Sequence, residues 1–397
     1  MTPPVSPRIL DEYYFFRAKG LQMYITVLAH GDRRPLSASG SSQSCRSGSW
    51  TRRALPLLLL AALFAAPRLL AQDPSQQDVK PVPLFSGSAG FITTFTAGET
   101  HLGPIVTPVV LVPLGQRWLF ETRIDLESDL AEVPGVNGFH GTLEKNVDYA
   151  QLDFIANRYM TVTVGRFLTP FNIFNERLYP VWIRNLQTDP LILPIGIGPS
   201  NASDGAMVRG GFNVQPGVDV NYAAYFSTLV NTTYVDASRF VGGRAGVFIR
   251  KTRLELGGSF QHSLQDNRAN AFGFHAIWEP FRVPLELRSE YARSFEGSGY
   301  WGEAAYRLSQ LPLLQHQMRH SQVVARMQQA FAGASPDTSL YPANMKMFEF
   351  GLNYYFIDGV KATSSYGRQF SPAGNANVWT LGLTYRFVVP LGNAWRN

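Results

Sequence analysis

At 397 residues the chain could form one large β domain or two ordinary ones, and its 13% aromatics, 35 Gly and 16% charged residues fit neither a disordered chain nor an average soluble enzyme. The formal net charge of +6 invites a nucleic-acid reading, but residues 1–71 hold nine Lys/Arg against three Asp/Glu, so residues 72–397 balance. A balanced chain has no global pull toward phosphates, and nucleic acid is not expected as a partner.

Residues 1–50 are rich in Ser, Arg and Pro without a period, and they read as a non-native or unstructured extension. Residues 51–71 have the order of an export signal: the basic pair Arg52 and Arg53, an apolar run from Ala54 to Pro67, then small residues ending at Ala71. The run is too short for a spanning helix, which needs ~20 apolar residues. Cys45, the one cysteine, lies in the leader, so an exported chain would have no thiol for disulfides, metal binding or nucleophilic catalysis. Residues 72–85 are polar and Pro-containing, as a short periplasmic tail would be.

From Ser86 to Leu391 a single pattern repeats: segments in period two, separated by alternately short and long connections. In NVWTLGLTYRF, Trp379, Leu381, Leu383, Tyr385 and Phe387 share one face, and Thr380, Gly382, Thr384 and Arg386 share the other. MKMFEFGLNYYF, WLFETRIDLE and VPLELRSEYA repeat the alternation with Glu349, Arg123, Asp125, Glu127, Glu286, Arg288 and Glu290 on their polar faces. Successive strand residues point to opposite faces, so each segment has one apolar and one ionised face. Segments of ~9–11 residues with aromatics at their ends suit tilted strands crossing a bilayer.

The segments predict sixteen strands near 86–97, 104–113, 118–129, 147–157, 159–170, 205–214, 218–229, 240–251, 253–264, 270–280, 282–295, 298–310, 320–331, 345–357, 360–371 and 377–389. The expected fold is all-β: a transmembrane, antiparallel, up-and-down barrel, a size class that encloses an aqueous channel. The connections PLGQR, NR, VQPG, KT, PF, LPLLQHQ and IDG read as periplasmic turns. LAEVPGVNGFHGTLEKN, Phe171–Gly205, VNTTYVDAS, AGASPDTSLYPAN and SPAGNAN read as outer loops. Phe171–Gly205, between strands 5 and 6, is too aromatic and too charged for a linker, and a structureless loop beyond ~12–15 residues usually has a function. It is expected to fold into the channel and narrow it.

This layout resembles a sixteen-stranded bacterial porin, and VGRFLTPF followed by NER resembles the phosphate-selective-porin-like group of outer-membrane proteins. Asn172 stands where such motifs often carry Gly, and Lys is sparse after the leader. The resemblance implies an outer-membrane channel that needs no cofactor and passes small hydrophilic solutes. Its apolar outer face would meet lipid or, in a homotrimer, a neighbouring barrel. A plugged or ligand-binding barrel is the alternative, since Phe171, Phe174, Tyr179 and Trp182 could stack on a solute.

Candidate constriction residues are Glu176, Arg177, Arg184 and Asp189, with Glu176 and Arg177 also readable as clamps between loop and wall. Strand parity aims Glu121, Arg123, Asp125, Arg209, Arg244, Glu286, Arg288, Glu290, Glu303, Arg307 and Arg386 at the lumen. Asp153, Asp219, Glu255 and Arg326 share that parity. Opposed charges in such a lumen would bias which solutes pass. No metal-binding spacing of the H-E-x-x-H kind occurs, and His262 with Ser263 and Asp266 is the one cluster that suggests hydrolysis. Adjacency of that kind is not triad geometry, and no enzymatic activity is expected.

Overall fold

The computed structural model describes residues 82–96, 98–132, 138–193, 201–230, 237–264, 269–311, 315–333, 344–357 and 359–391. The extension and the export signal read from the sequence lie outside the described residues.

Sixteen antiparallel strands close into one barrel, each paired with its neighbours in the chain. They are β1 (Leu84–Thr96), β2 (Glu99–Leu114), β3 (Trp118–Glu132), β4 (Phe139–Asn157), β5 (Met160–Leu168), β6 (Ala202–Gln215), β7 (Val218–Val230) and β8 (Ala237–Ile249). The second half comprises β9 (Leu254–Ser263), β10 (Asn270–Trp278), β11 (Leu285–Arg293), β12 (Gly297–Arg307), β13 (Ser321–Ala332), β14 (Met345–Ile357), β15 (Val360–Ser371) and β16 (Gly374–Pro390). Closure comes from β1 on β16, in unbroken register from Leu84↔Pro390 to Thr96↔Val378. Ser86 Oγ adds a hydrogen bond to the Phe387 carbonyl at 3.0 Å. Full closure leaves no unpaired edge, which a sheet needs if its backbone is to sit in hydrocarbon.

The two faces separate as the alternation requires. On β14, Phe348, Phe350 and Leu352 are exposed on the outside while Glu349 and Asn353 are buried within. On β16, Trp379, Leu381, Leu383 and Tyr385 face outward and Thr380 and Thr384 inward. Apolar groups left exposed to this extent outside, with ionised groups buried inside, invert a soluble protein and match a barrel standing in lipid.

Several connections differ from the sequence reading. LAEVPGVNGFHGTLEKN is mostly strand: β3 continues to Glu132 and β4 starts at Phe139, so the two form a tall exposed hairpin. Phe139, Leu143 and Val147 keep the period there, but the Gly, His and Lys between them disguise it. SPAGNAN shrinks to a tight turn because β15 reaches Ser371 and β16 starts at Gly374. The connection after β12 is longer than a turn and carries short helical pieces at Leu308–Gln310 and Gln315–Arg319. The first strand starts at Leu84 rather than Ser86, taking two residues from the expected tail.

Candidate functional site

Beyond Leu168 the chain leaves the wall and enters the barrel, and Thr169–Leu193 is the described part of this insert. Its neck is tied on both sides. The Thr169 amide donates to the Asn201 carbonyl at 3.0 Å. Asn175 Nδ2 donates to the carbonyls of Thr169 (3.1 Å) and Asn201 (2.6 Å). Just below the neck Gly165 pairs with Gly205, and Gly165 has φ +111. A Cβ on Gly165 would come within 2.6 Å of the Ala150 carbonyl, so the wall accepts only glycine where the insert departs.

Asn172 sets the direction of the insert. Its φ of +55 lies in the left-handed region, which Gly adopts freely and Asn better than other residues. That explains an Asn where the resembling motif often has Gly. Its amide donates to Ser259 Oγ at 2.9 Å and its Nδ2 to the Tyr291 carbonyl at 3.2 Å. A single π-type turn follows at Phe174–Leu178.

Polar groups from the far wall grip the insert along its length. Glu290 Oε1 accepts from the amides of Ile173 (2.5 Å) and Phe174 (2.6 Å), while Glu290 Oε2 accepts from Trp301 Nε1 at 2.8 Å. Glu176 pairs with Arg244 at 2.9 Å, and Arg177 with Glu255 at 2.8 Å. Lys361 Nζ donates to the Arg184 carbonyl at 2.5 Å and to the Trp182 carbonyl at 3.2 Å. Asn185 Nδ2 donates to Glu303 at 2.8 Å, and Arg326 Nη2 donates to the Thr188 carbonyl at 2.7 Å and to Glu349 at 2.8 Å. Near the described end of the insert, the Leu191 amide donates to Gln328 Oε1 at 2.9 Å.

Between these grips the insert buries an apolar underside. Phe171, Ile173, Phe174, Leu178, Leu191 and Ile192 pack on Ala271, Ile277, Ala292, Trp301, Ala330, Met345 and Met347 of the wall. The wall is cut to receive it: a Cβ on Gly351 would run into Leu186, and one on Gly299 would lie 2.7 Å from Ile192 Cγ2. The bonds named above come from β8, β9, β11–β15 and the insert itself, so the insert lies against that side of the barrel.

On the opposite side the contact is incomplete. A cavity of about 300 Å³ lies between the insert and β1–β3. It is lined by His101, Arg123, Asp125, Glu127 and Asp129 of the wall, and by Tyr179, Arg184 and Asp189 of the insert. Arg184 and Asp189 pair within the insert at 2.6 Å, and Arg184 Nε donates to the Tyr179 carbonyl at 2.5 Å. The Arg184 and Arg123 guanidinium groups lie 4.9 and 5.3 Å from the centre of the Tyr179 ring. Burial pushes the Tyr179 hydroxyl above the ordinary phenol range, so the ring stays neutral.

The sequence candidates therefore fall into three groups. Arg184, Asp189, Arg123 and Asp125 line the cavity. Glu176, Arg177, Arg244, Glu290 and Glu303 bind insert to wall. Arg209 pairs with Asp153 at 2.6 Å and lies close enough to feel Glu121. Arg288 reaches Glu286 at 2.5 Å and Glu303 at 3.8 Å, Arg307 lies 5.0 Å from the Tyr355 ring, and Arg386 lies 4.9 Å from the Trp182 ring. Sequence reasoning put Glu349 on a polar face without giving it a task and passed over Lys361 and Asp129, although their strand parity was available; His101 lay outside the expected second strand, which in the structure starts at Glu99. Phe171 and Phe174 are buried against the wall, so the four insert aromatics do not form one stacking platform. His262 Nδ1 lies 2.8 Å from Asn270 Oδ1; Asp266 lies outside the described residues.

No protein-family model matches the chain, and no curated protein does. Solved structures do. The high-pH structure of Pseudomonas putida OprB aligns with a TM-score of 0.58 at 9% identity, covering 77% of this chain and 94% of that one. A loop L8 deletion mutant of OmpT, an outer membrane protein of Vibrio cholerae, gives 0.51 at 10% identity over 77% and 100%. An anion-selective porin from Comamonas acidovorans gives 0.50 at 11% over 77% and 99%. Likeness at such identities is likeness of fold, and the fold is the sixteen-stranded barrel of outer-membrane proteins.

Proposed function

We propose that the protein is a passive outer-membrane channel for small hydrophilic solutes, with the insert Thr169–Leu193 as its constriction. The observation that carries this reading is the asymmetry of the lumen. The insert is fixed against β8–β15 by buried ion pairs and backbone hydrogen bonds, and it leaves a charged cavity along β1–β3. A plug meant to seal the barrel would have no reason to leave a cavity lined by charged side chains on one side only. Arg184, Asp189, Arg123 and Asp125 line the narrowest part, and the other lumen charges hold the insert or each other. Residues 51–71 export the chain, residues 72–83 form a periplasmic tail, and the long connections face outward. The motif from Val164 to Phe171 favours descent from the phosphate-selective-porin-like group, and a homotrimer would cover part of the apolar outer face.

Reconstitution into planar bilayers tests the reading. Discrete conductance steps are expected, and replacing residues 173–192 by a short Gly-Ser linker should raise the step size several-fold. Insertion without steps would overturn the channel and favour a closed, ligand-binding barrel. Steps unchanged by the excision would remove the insert from its proposed role.

A further inference from the structure

The cavity is richer in acid than in base, and each of its bases already has an acidic partner, although Arg123 Nη2 is itself buried without a hydrogen-bond partner. Asp125, Glu127 and Asp129 follow one another on the inner face of β3, and Asp189 faces them from the insert. Same-face neighbours on a strand are about 7 Å apart, so the three carboxylates form a column about 13 Å long. Against them stand Arg123, Arg184 and His101. Arg123 gives its Nε to Asp148 at 2.6 Å, and its guanidinium lies 5.3 Å from the centres of both the Tyr149 and Tyr179 rings. Arg184 holds Asp189, the Tyr179 carbonyl and the Gln187 carbonyl. His101 lies between Asp129 (2.9 Å) and Glu99 (3.6 Å).

Asp125 and Glu127 differ from the rest: neither forms an ion pair among the described residues. Asp125 is only 4% exposed, and its Oδ1 is buried without a hydrogen-bond partner. A buried carboxylate oxygen that no protein donor satisfies is costly, and a cation or a donor carried by a solute would relieve that cost.

We infer that the Asp125–Glu127 step on β3 is a cation-binding station, and that the channel passes small cations in preference to anions. This rests on the channel reading above and adds its sign. The sign is opposite to that of the anion-selective porin of similar fold, and opposite to what the motif resemblance alone would suggest.

The test is the reversal potential across a KCl gradient, with the mature protein extracted from membranes and inserted into planar bilayers. The wild type should prefer K⁺. Asp125→Asn and Glu127→Gln should each lower the K⁺:Cl⁻ permeability ratio by up to about sevenfold, because a unit charge about 7 Å away acts through water with an energy close to RT, favouring K⁺ and disfavouring Cl⁻ by that much each. Asp219→Asn, whose carboxylate pairs with Arg250 next to a turn, should leave the ratio unchanged. Heat-dependent gel mobility reports whether each variant has folded. If Asp125→Asn does not fold, Glu127→Gln, whose residue is less buried, carries the comparison. Wild-type Cl⁻ preference, or a ratio untouched by neutralising Glu127, would overturn the cation station and leave the channel standing. Absence of steps in folded wild type would overturn the channel itself, and the station with it.

Discussion

Glu290 is the residue on which the docking of the insert most depends. Its carboxylate accepts from two consecutive insert amides and from Trp301, and it is nearly fully buried. Glu290→Ala would strand three buried donors at ~1–3 kcal/mol each. The Ile173 and Phe174 amides should then lose most of their protection from hydrogen exchange. Glu290→Gln keeps an acceptor oxygen and should retain a large part of it. Equal protection in all three proteins would mean that the apolar underside alone holds the insert. Strand parity points Glu290 inward but does not assign it this task. Its partners lie 117 and 116 positions upstream, and no local pattern links a lumen carboxylate to backbone amides so far away. Asn172 is similar: the sequence shows an unexpected Asn, and only its φ of +55 explains it.

At the scale of elements, all sixteen strands were readable because lipid outside and water inside impose the alternation on every crossing. The errors fall where that pressure ends, beyond the bilayer on either side: in the β3–β4 hairpin, the β15–β16 turn, the β12–β13 connection and the start of β1. The insert was readable as an element but not in its placement, because its apolar residues follow no period and the buried wall residues that receive them come from five strands, β10 to β14. Gly351 makes the fit testable. It leaves the room on β14 that Leu186 occupies, so Gly351→Phe should push the insert off that wall toward β1–β3. The expected result is a smaller conductance step in a barrel that still folds. An unchanged step would mean that Leu186 is not seated against β14 in the open channel.

For the whole molecule, the separation of the two faces sets which substitutions the barrel tolerates. Phe91 is exposed on the outside of β1, while Thr94 lines the cavity. Phe91→Arg places a charge in lipid and should cost ~2–4 kcal/mol, read as a lower urea midpoint in vesicles. Thr94→Arg should leave stability nearly unchanged, since its charge would sit in the aqueous lumen. Equal losses would mean the register of β1 is wrong by one residue, which would reverse every side chain on it. The closure of β1 on β16 also orders events in time. The strand that completes the ring is the last to be synthesised, and Ser86 waits for a carbonyl 301 positions later. The insert likewise precedes the strands β8–β15 that receive it. Until the final segment arrives, the nascent chain carries two bare sheet edges, and a polar insert with no wall to dock on. Such a chain depends on being kept apart from its own copies until the ring closes, so biogenesis rather than finished stability is the stage at which defects in this protein should first appear.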